Sequence, residues 1–259
     1  MTTGGIELGI LAYPLLAGVL VVLTHVPLGQ EVLARGIIFM DIAVAQIAGL
    51  GVIAADVLGL EAHGWGVQVC AGGAALLGSL ALNWTERRWP EIQEALIGVF
   101  YVLASSAAIL LLAAHPQGGD HLKDLLVGQI IWVLPREVLG HGLLYAALLV
   151  AWFGFRRRLG RPGFYVIFAL AVTASVQLVG VFLVFGTLIV PALATRGWSG
   201  GRRLWISYGL GVLAYGLGLL ISGWTDLPTG AVIVWTLAVL GVGLAYALPG
   251  RGARQTPTG

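Results

Sequence analysis

The chain has 259 residues, of which 58% are hydrophobic and only 10% are charged. Soluble domains carry about 25% charged residues, so the composition excludes an ordinary soluble protein and indicates a polytopic membrane protein. The formal net charge of +2 is too small to argue for nucleic acid as a partner. The single cysteine, Cys70, excludes an internal disulfide.

Eight apolar runs follow one another along the chain, and each is long enough to cross a bilayer, which takes about 20 residues. They span residues 8–26, 37–59, 64–83, 94–114, 138–155, 163–196, 203–222 and 229–248. We predict one transmembrane domain over residues 1–259, with a flexible C-terminal tail at about 249–259.

The sixth run is long but interrupted. It contains no charge before Arg196, yet Thr173, Ser175 and Gln177 lie midway, and glycines and a proline follow. Polar side chains at membrane depth are costly unless they contact another helix or line a pathway. We therefore interpret this run as the wall of a transport path. Gln177 is its strongest candidate, because a buried amide needs several hydrogen-bond partners.

The distribution of charge predicts the topology. Twelve of the fourteen basic residues fall on one side of the membrane if residues 163–196 cross it twice and turn at Gln177–Gly180. This predicts nine crossings, with the N-terminus outside and the C-terminus in the cytoplasm. Each half of the run is short of a full span, so at least one is predicted to be broken or re-entrant. Counting the run once gives eight crossings but places the arginines of 156–161 outside.

Three motifs resemble those of a known family. VGVFLVFGTLIVPALATR (179–196) is similar to the "VG-x-LLV-x-x-L-x-x-IPAA-x-A-R" stretch of bacterial ABC importer permeases for zinc, manganese or iron. SGWTDLPTGAVIV (222–234) resembles their "S-x-x-x-D-x-P-x-G-x-x-I-V" loop and final helix. RGIIFMDIAVAQIAGLGV (35–52) resembles their "R-x-x-x-x-GD-x-LAH-x-x-LxGV" helix. The three motifs occur in the family order, and together with smaller matches at 94–112 and 124–133 they touch most of the chain.

The resemblance implies an all-α polytopic membrane protein with 8–9 transmembrane helices and the type II ABC importer permease fold, shared with vitamin B12 and siderophore importers. It also implies a homodimer in the bacterial inner (plasma) membrane that carries a divalent metal ion, with no covalently bound cofactor. The partners would be a cytoplasmic P-loop ATPase and an extracytoplasmic solute-binding protein. The chain has no Gly-Lys-Ser/Thr of its own, since Lys123 follows Leu122, and no nucleophile–base constellation. We therefore expect a transport subunit rather than an enzyme.

Asp41 and Gln46 are the candidate path residues of the second run. Asp41 is the only acid that we place inside an apolar run, where it is either a cation ligand or the ion-pair partner of Arg35. The histidine of the family motif is replaced by Ala45 or Gln46, depending on the alignment. An amide is a harder and weaker ligand than imidazole and suits oxygen-preferring ions better than zinc. Gln46 is otherwise an inter-helix hydrogen-bonding residue.

Further candidates lie toward the two faces of the membrane. Asp56 marks the predicted outer end of the second run, either as a mouth ligand or as a solvated helix end. The loop HPQGGDHLKD (115–124) carries His115, Asp120 and His121, a donor set that suits zinc, iron or manganese but also occurs in ordinary solvated loops. On the cytoplasmic side, the segment FRRRLGRP (155–162) stands where relatives couple to the ATPase. Its basic residues, the candidates for coupling, are Arg156, Arg157, Arg158 and Arg161.

A second hypothesis is a self-contained ion channel or secondary carrier without an ATPase. It rests on the coupling segment, which is acidic and helical in relatives but is reduced here to the short basic stretch 155–162. An ATPase that accompanies the chain would decide between the two hypotheses.

Overall fold

The computed structural model describes residues 8–60, 64–112, 128 and 130–247, and leaves the side chains of residues 8–10, 156 and 157 undescribed. Over these residues the chain is helical and contains no strand. We number the helices α1 (Leu8–Arg35), α2 (Met40–Val57), α3 (Trp65–Arg88), α4 (Gln93–Leu112), α5 (Pro135–Val179), α6 (Val181–Ala194), α7 (Gly200–Thr225) and α8 (Thr229–Ala247). Two short 3-10 segments, Pro90–Ile92 and Ile130–Trp132, precede α4 and α5.

Helix α5 is a kinked pair of limbs rather than one rod. Its 45 residues bend at Gly160, whose φ of 57° and ψ of −157° are not helical. Such angles belong to a backbone region that is essentially restricted to glycine. The first limb, Pro135–Phe155, and the second limb, Arg158–Val179, are each long and apolar enough to cross a membrane. The segment 155–162, which we expected to be a shortened loop, is therefore largely helical around a single sharp bend.

The predicted interruption at Gln177–Gly180 is confirmed at Gly180, which ends α5 with φ 83° and ψ 161°. Only one residue separates α5 from α6, so glycine is needed there for the same reason as at Gly160. The second limb of α5 is a full span of 22 residues, whereas α6 has only 14. At 1.5 Å per residue α6 is about 21 Å long, less than the hydrocarbon thickness of about 30 Å.

Within the described ranges, eight helical segments qualify as membrane spans by length and composition, and α6 is a ninth, shorter apolar helix. This matches the predicted 8–9 transmembrane helices. The short half of the interrupted run is the one after the break. The predicted tail at about 249–259 and the loop residues His115, Asp120 and His121 lie outside the described residues.

Two spans form the centre of the bundle. The second limb of α5 is the most buried, with 72% of its apolar window inside the protein, and α1 follows with 61%. The first limb of α5 and α4 are the most exposed, each with 22% buried. Helix α1 packs against α5, α6 and α7, and α2 packs against α3, α4 and α5. The polar residues of the interrupted run are therefore carried by the most enclosed span of the protein.

The two ends of the bundle are distinguished by the residues that meet there. Arg35, at the end of α1, lies with its guanidinium 4.3 Å from the ring centroid of Phe164 in the second limb. The hydroxyl of Tyr165 donates to a carboxylate oxygen of Glu86, at the end of α3, over 3.0 Å. We call this the inner end, because the sequence predicts that its arginines face the cytoplasm. The opposite end, where α3 begins and the second limb stops, is the outer end.

Candidate functional site

Asp41 lies in the first turn of α2, near the inner end, and only 1% of its surface is exposed. Neither carboxylate oxygen has a hydrogen-bond partner among the described residues. Arg35, the partner that sequence offered as an alternative, instead donates to Glu31 over 2.9 Å in an i,i+4 ion pair. A buried, unpartnered carboxylate is destabilising. The ion pair between Asp41 and Arg35, one of the two alternatives that the sequence offered, is therefore not formed in the described structure.

The structure places the other candidates of α2 less deeply. Gln46 and Asp56 are both half-buried. Viewed along the axis of α2, Gln46 lies about 140° and Asp56 about 60° away from Asp41. The position that corresponds to the family histidine in one alignment, Ala45, is 1% exposed and shares the buried side of α2 with Asp41. Asp41 is therefore the most enclosed of these candidates, and Asp56 lies near the outer end of α2.

Gln177 has a partner that sequence reasoning missed. The Nε2 of Gln68, in the first turns of α3, donates to the Oε1 of Gln177 over 2.6 Å. The Nε2 of Gln177 is buried and has no hydrogen-bond partner in the part of the chain that the structure describes. The signal for Gln68 was an amide within the apolar run 64–83, the same signal that singled out Gln177. The two amides join α3 to the second limb of α5 at the outer end.

Several hydroxyl groups are buried between these two amides and the inner end. Ser175 pairs with the hydroxyl of Tyr145, with their oxygens 2.6 Å apart. By contrast, the hydroxyls of Thr173, 6% exposed, and of Ser79, 1% exposed, lack a hydrogen-bond partner in the described structure. The same holds for the amide oxygen of Asn83. Ser79 and Asn83 lie on α3, and Thr173 lies on the second limb of α5.

A second network of hydrogen bonds connects α6 to α1 and α7. The hydroxyls of Thr187 and Tyr215 are 2.8 Å apart, and those of Thr195 and Ser207 are also 2.8 Å apart. Ser207 further accepts from the Nε2 of Gln30 over 3.2 Å. Because Thr187 and Thr195 also donate to carbonyls of their own helix, these groups are largely satisfied. They hold the short helix in place and leave little capacity for a ligand.

A surface cavity of about 340 Å³ opens at the outer end. The segment Ile130–Trp132 forms one wall, and the connection between α7 and α8 forms the other, from Ser222 to Thr229. Gly128 packs against the backbone of Val179 and Gly180. The cavity therefore adjoins the helix break, and Asp226, in the left-handed conformation with φ 55°, is an acid on its rim.

The basic segment at the inner end is exposed where it is described. Arg158 and Arg161 both face outward from the bend of α5, while the side chains of Arg156 and Arg157 lie outside the described structure. Exposed arginines at a bend are available to a partner without any rearrangement of the core. Across the described residues, no group of three or more His, Cys, Asp or Glu side chains forms a ready metal site.

These features define an all-helical, multi-spanning membrane protein with several polar side chains buried inside the bundle. Comparison with known proteins takes the identification further. The profile of the ABC 3 transport family matches residues 8–164 and 159–247. The chain therefore belongs to the ABC 3 transport family, and it is a permease of the ABC importer class, as the sequence motifs predict.

Two solved structures have the same fold. A chain of PsaBC from Streptococcus pneumoniae, in complex with Fab, superposes with a TM-score of 0.76 and 21% identity over 94% of each chain. A metal-chelate type ABC transporter in an inward-facing conformation superposes with a TM-score of 0.66 and 17% identity, over 96% of this chain and 92% of that one. No curated protein matches the sequence. The type II ABC importer permease fold is thereby confirmed.

Proposed function

We propose that the chain is the membrane subunit of an ATP-driven importer of divalent metal ions, zinc, manganese or iron, and that two copies assemble around the translocation route. Family membership along residues 8–247 supports the class of transporter. The single structural observation that supports a cationic substrate is Asp41, a carboxylate that is 1% exposed and has no hydrogen-bond partner among the described residues. A membrane protein keeps such a group where a cation compensates its charge.

The donors that surround the candidate route favour the harder ions of this group. Asp41, Gln46, Gln177 and Gln68 offer carboxylate and amide groups, and the family histidine is absent from α2. Oxygen ligands suit manganese and iron(II) better than zinc, which prefers imidazole and thiolate. The cargo is thus proposed to be a divalent ion held by oxygen atoms, entering from the outer end and released at the inner end.

The partners follow from what the chain lacks. It has no phosphate-binding loop, so ATP hydrolysis belongs to a separate cytoplasmic subunit, for which Arg158 and Arg161 form an exposed basic contact. Arg156 and Arg157 extend the same segment. A solute-binding protein is proposed to deliver the ion at the outer face, near Asp56, and the sequence predicts that the loop with His115, Asp120 and His121 belongs to the same face. The N-terminus is proposed to lie outside and the C-terminus in the cytoplasm.

The decisive experiment is purification of the tagged chain from native membranes, with identification and quantification of whatever co-purifies. A P-loop ATPase in near-equal amount supports the importer, and the purified complex is then tested for ATP-dependent uptake of ⁵⁴Mn²⁺ in proteoliposomes. The chain purified alone, with metal flux that needs no ATP, would instead establish the self-contained channel or carrier. An ATPase that co-purifies without any metal uptake would exclude these metals as cargo.

A further inference from the structure

The N-terminus of α2 is capped by a side chain from another helix. In a capping box, the third residue of a helix accepts a hydrogen bond from the backbone N–H of the N-cap residue. In α2 the N-cap residue is Phe39 and the third helical residue is Ile42, whose side chain has no acceptor. The N–H of Phe39 instead donates to the Oε1 of Glu94, in the first turn of α4, over 3.3 Å. Helix α4 thus supplies the acceptor that α2 lacks.

The start of α4 is itself held by α3. Gln93, the residue before Glu94, is buried. Its Nε2 donates to the carbonyl oxygen of Leu82 over 3.0 Å, and its Oε1 accepts from the hydroxyl of Thr85 over 2.9 Å. Both partners belong to the last turns of α3. Two consecutive side chains of α4 therefore bind two different helices, and the carboxylate of Glu94 reaches α2 from an anchored position.

The carboxylate of Glu94 is engaged by α2 alone. Its second oxygen, Oε2, is buried and has no hydrogen-bond partner among the described residues. The bond from Phe39 is thus the one hydrogen bond of this side chain in the described part of the chain. A negative charge at a helix N-terminus also interacts favourably with the helix dipole. The contact therefore stabilises the first turn of α2.

That first turn carries Asp41. The residue lies two positions after Phe39 and within the first turn of the helix, about 3 Å further along the axis at 1.5 Å per residue. The backbone between the two residues is regular helix, so any change in the depth or rotation of the capped turn displaces the Asp41 carboxylate as well. The hydrogen bond from Glu94 therefore helps to set where the candidate cation ligand lies.

We propose that Glu94 is a positioning residue for Asp41. By capping α2 it fixes the depth and orientation at which the Asp41 carboxylate meets the divalent cation on the route between the two copies. The inference rests on the proposed import function and deepens it. Glu94 acts through the backbone of α2 and is not itself a ligand. Residues that orient a metal ligand typically change affinity or activity 10–100-fold when they are removed.

The test measures ⁵⁴Mn²⁺ uptake by the complete complex in proteoliposomes over a range of Mn²⁺ concentrations. Glu94→Ala is expected to raise KM about tenfold at a nearly unchanged maximal rate, because saturating Mn²⁺ refills a weakened site. Glu94→Gln keeps an oxygen that can accept from Phe39, so it is expected to restore most of the lost affinity. Glu91→Ala, which removes an exposed acid three residues earlier, is the matched control and is expected to leave KM unchanged.

Two further measurements separate positioning from general stability. Amide hydrogen exchange in the peptide that spans residues 36–43 is expected to be faster in Glu94→Ala and unchanged in Glu91→Ala. The uptake series is also repeated in an Asp41→Asn background. If Glu94 acts through Asp41, the two substitutions are not additive, and Glu94→Ala is expected to raise KM little further there.

Each outcome decides the proposal. Unchanged exchange at the start of α2 would overturn the cap, and faster exchange with an unchanged KM would reduce it to a structural bond. A tenfold rise in KM that persists in the Asp41→Asn background would overturn the link to Asp41. Glu94→Asp, whose carboxylate is one methylene shorter, replaces Glu94→Ala if that variant does not fold. Absence of Mn²⁺ uptake by the unsubstituted complex would overturn the import function, while hydrogen exchange would still report on the cap by itself.

Discussion

Gly29 of α1 lies directly against the backbone carbonyl of Leu188 in α6. A Cβ atom added at Gly29 would overlap the Leu188 carbonyl oxygen. The contact is between two main chains, so no flexible side chain can move aside. The short helix α6 can therefore pack this closely against α1 because residue 29 has no Cβ atom.

The first prediction concerns this contact. Gly29→Ala should lower the stability of the detergent-solubilised protein by about 1–3 kcal/mol, the usual effect of overpacking a tight interface. The measurement is thermal unfolding followed by tryptophan fluorescence. Gly216→Ala is the matched control, because a Cβ there meets nothing within 4 Å. Equal melting temperatures for the two variants would mean that α6 does not depend on this contact.

The second prediction concerns Gly180. With φ 83° and ψ 161°, it occupies a region that any L-residue enters at a penalty of about 1–3 kcal/mol. Gly180→Ala should therefore destabilise the turn between α5 and α6 and reduce the yield of folded protein. The assay is size-exclusion chromatography after graded heating. Gly209→Ala, in an open helical position, should behave as the unsubstituted protein, and a Gly180→Ala profile that equals it would contradict the prediction.

The sequence predicts the interruption in this region but not its form. Gln177–Gly180 was the expected turn because polar residues and glycine coincide there within a run too long for one span. The structure confirms Gly180 as the break and shows that the shortage of residues falls on α6 alone. The second limb gains its length from residues 158–162, which belong to a helix that bends at Gly160. Because the bend depends on the torsion angles of one glycine, it does not change the hydrophobic periodicity of the sequence. That periodicity therefore could not predict the bend.

The third prediction separates stability from transport at Asp41. Removing an unpartnered buried carboxylate relieves its desolvation, so Asp41→Ala should leave the protein as stable as before or more stable by about 1–3 kcal/mol. The same substitution should abolish metal uptake, and Asp41→Asn should impair it. Metal uptake by both variants is measured in proteoliposomes that contain the co-purified ATPase. Glu91→Ala, an exposed acid at the inner end, is the control. Normal uptake by Asp41→Ala would remove Asp41 from the route.

The fourth prediction concerns the amide pair at the outer end. A double-mutant cycle on Gln68→Ala and Gln177→Ala should give a coupling free energy of about 0.6 kcal/mol, the average for side-chain hydrogen bonds in membrane proteins. Each single variant should also change the rate of metal entry. Ser106→Ala serves as the control, because the hydrogen bonds of Ser106 among the described residues go to carbonyls of its own helix. A coupling energy of zero would show that the two amides act independently.

The fifth prediction tests the basic segment at the bend of α5. The double variant Arg158→Gln/Arg161→Gln should reduce the amount of ATPase that co-purifies and make it more sensitive to salt, because exposed charge contacts are screened. Both side chains are exposed, so the melting temperature should not change. Arg136→Gln removes one exposed arginine near the outer end and is the control. Unchanged co-purification would place the ATPase contact elsewhere on the inner face.

Some features of the candidate site could be predicted from the sequence, and others could not. Asp41 and Gln177 could be predicted because a polar group in an apolar run is conspicuous. The link from Gln177 to Gln68 joins residues 109 positions apart, and no local pattern specifies such a pairing. Arg35 was an equal alternative as the partner of Asp41, and only the three-dimensional arrangement shows that it pairs with Glu31 and lies on Phe164.

The two bends of the chain, at Gly160 and Gly180, enclose the span that is most deeply buried. Regular helical geometry is interrupted at both positions, and the chain between them forms one continuous helix. Tilting it would require new torsion angles at two residues and would leave the helix between them intact. If α3 stays in place, such a tilt would separate Gln177 from Gln68 at one end. A movement imposed at the inner bend, beside Arg158 and Arg161, would then be transmitted to the outer end by this one helix.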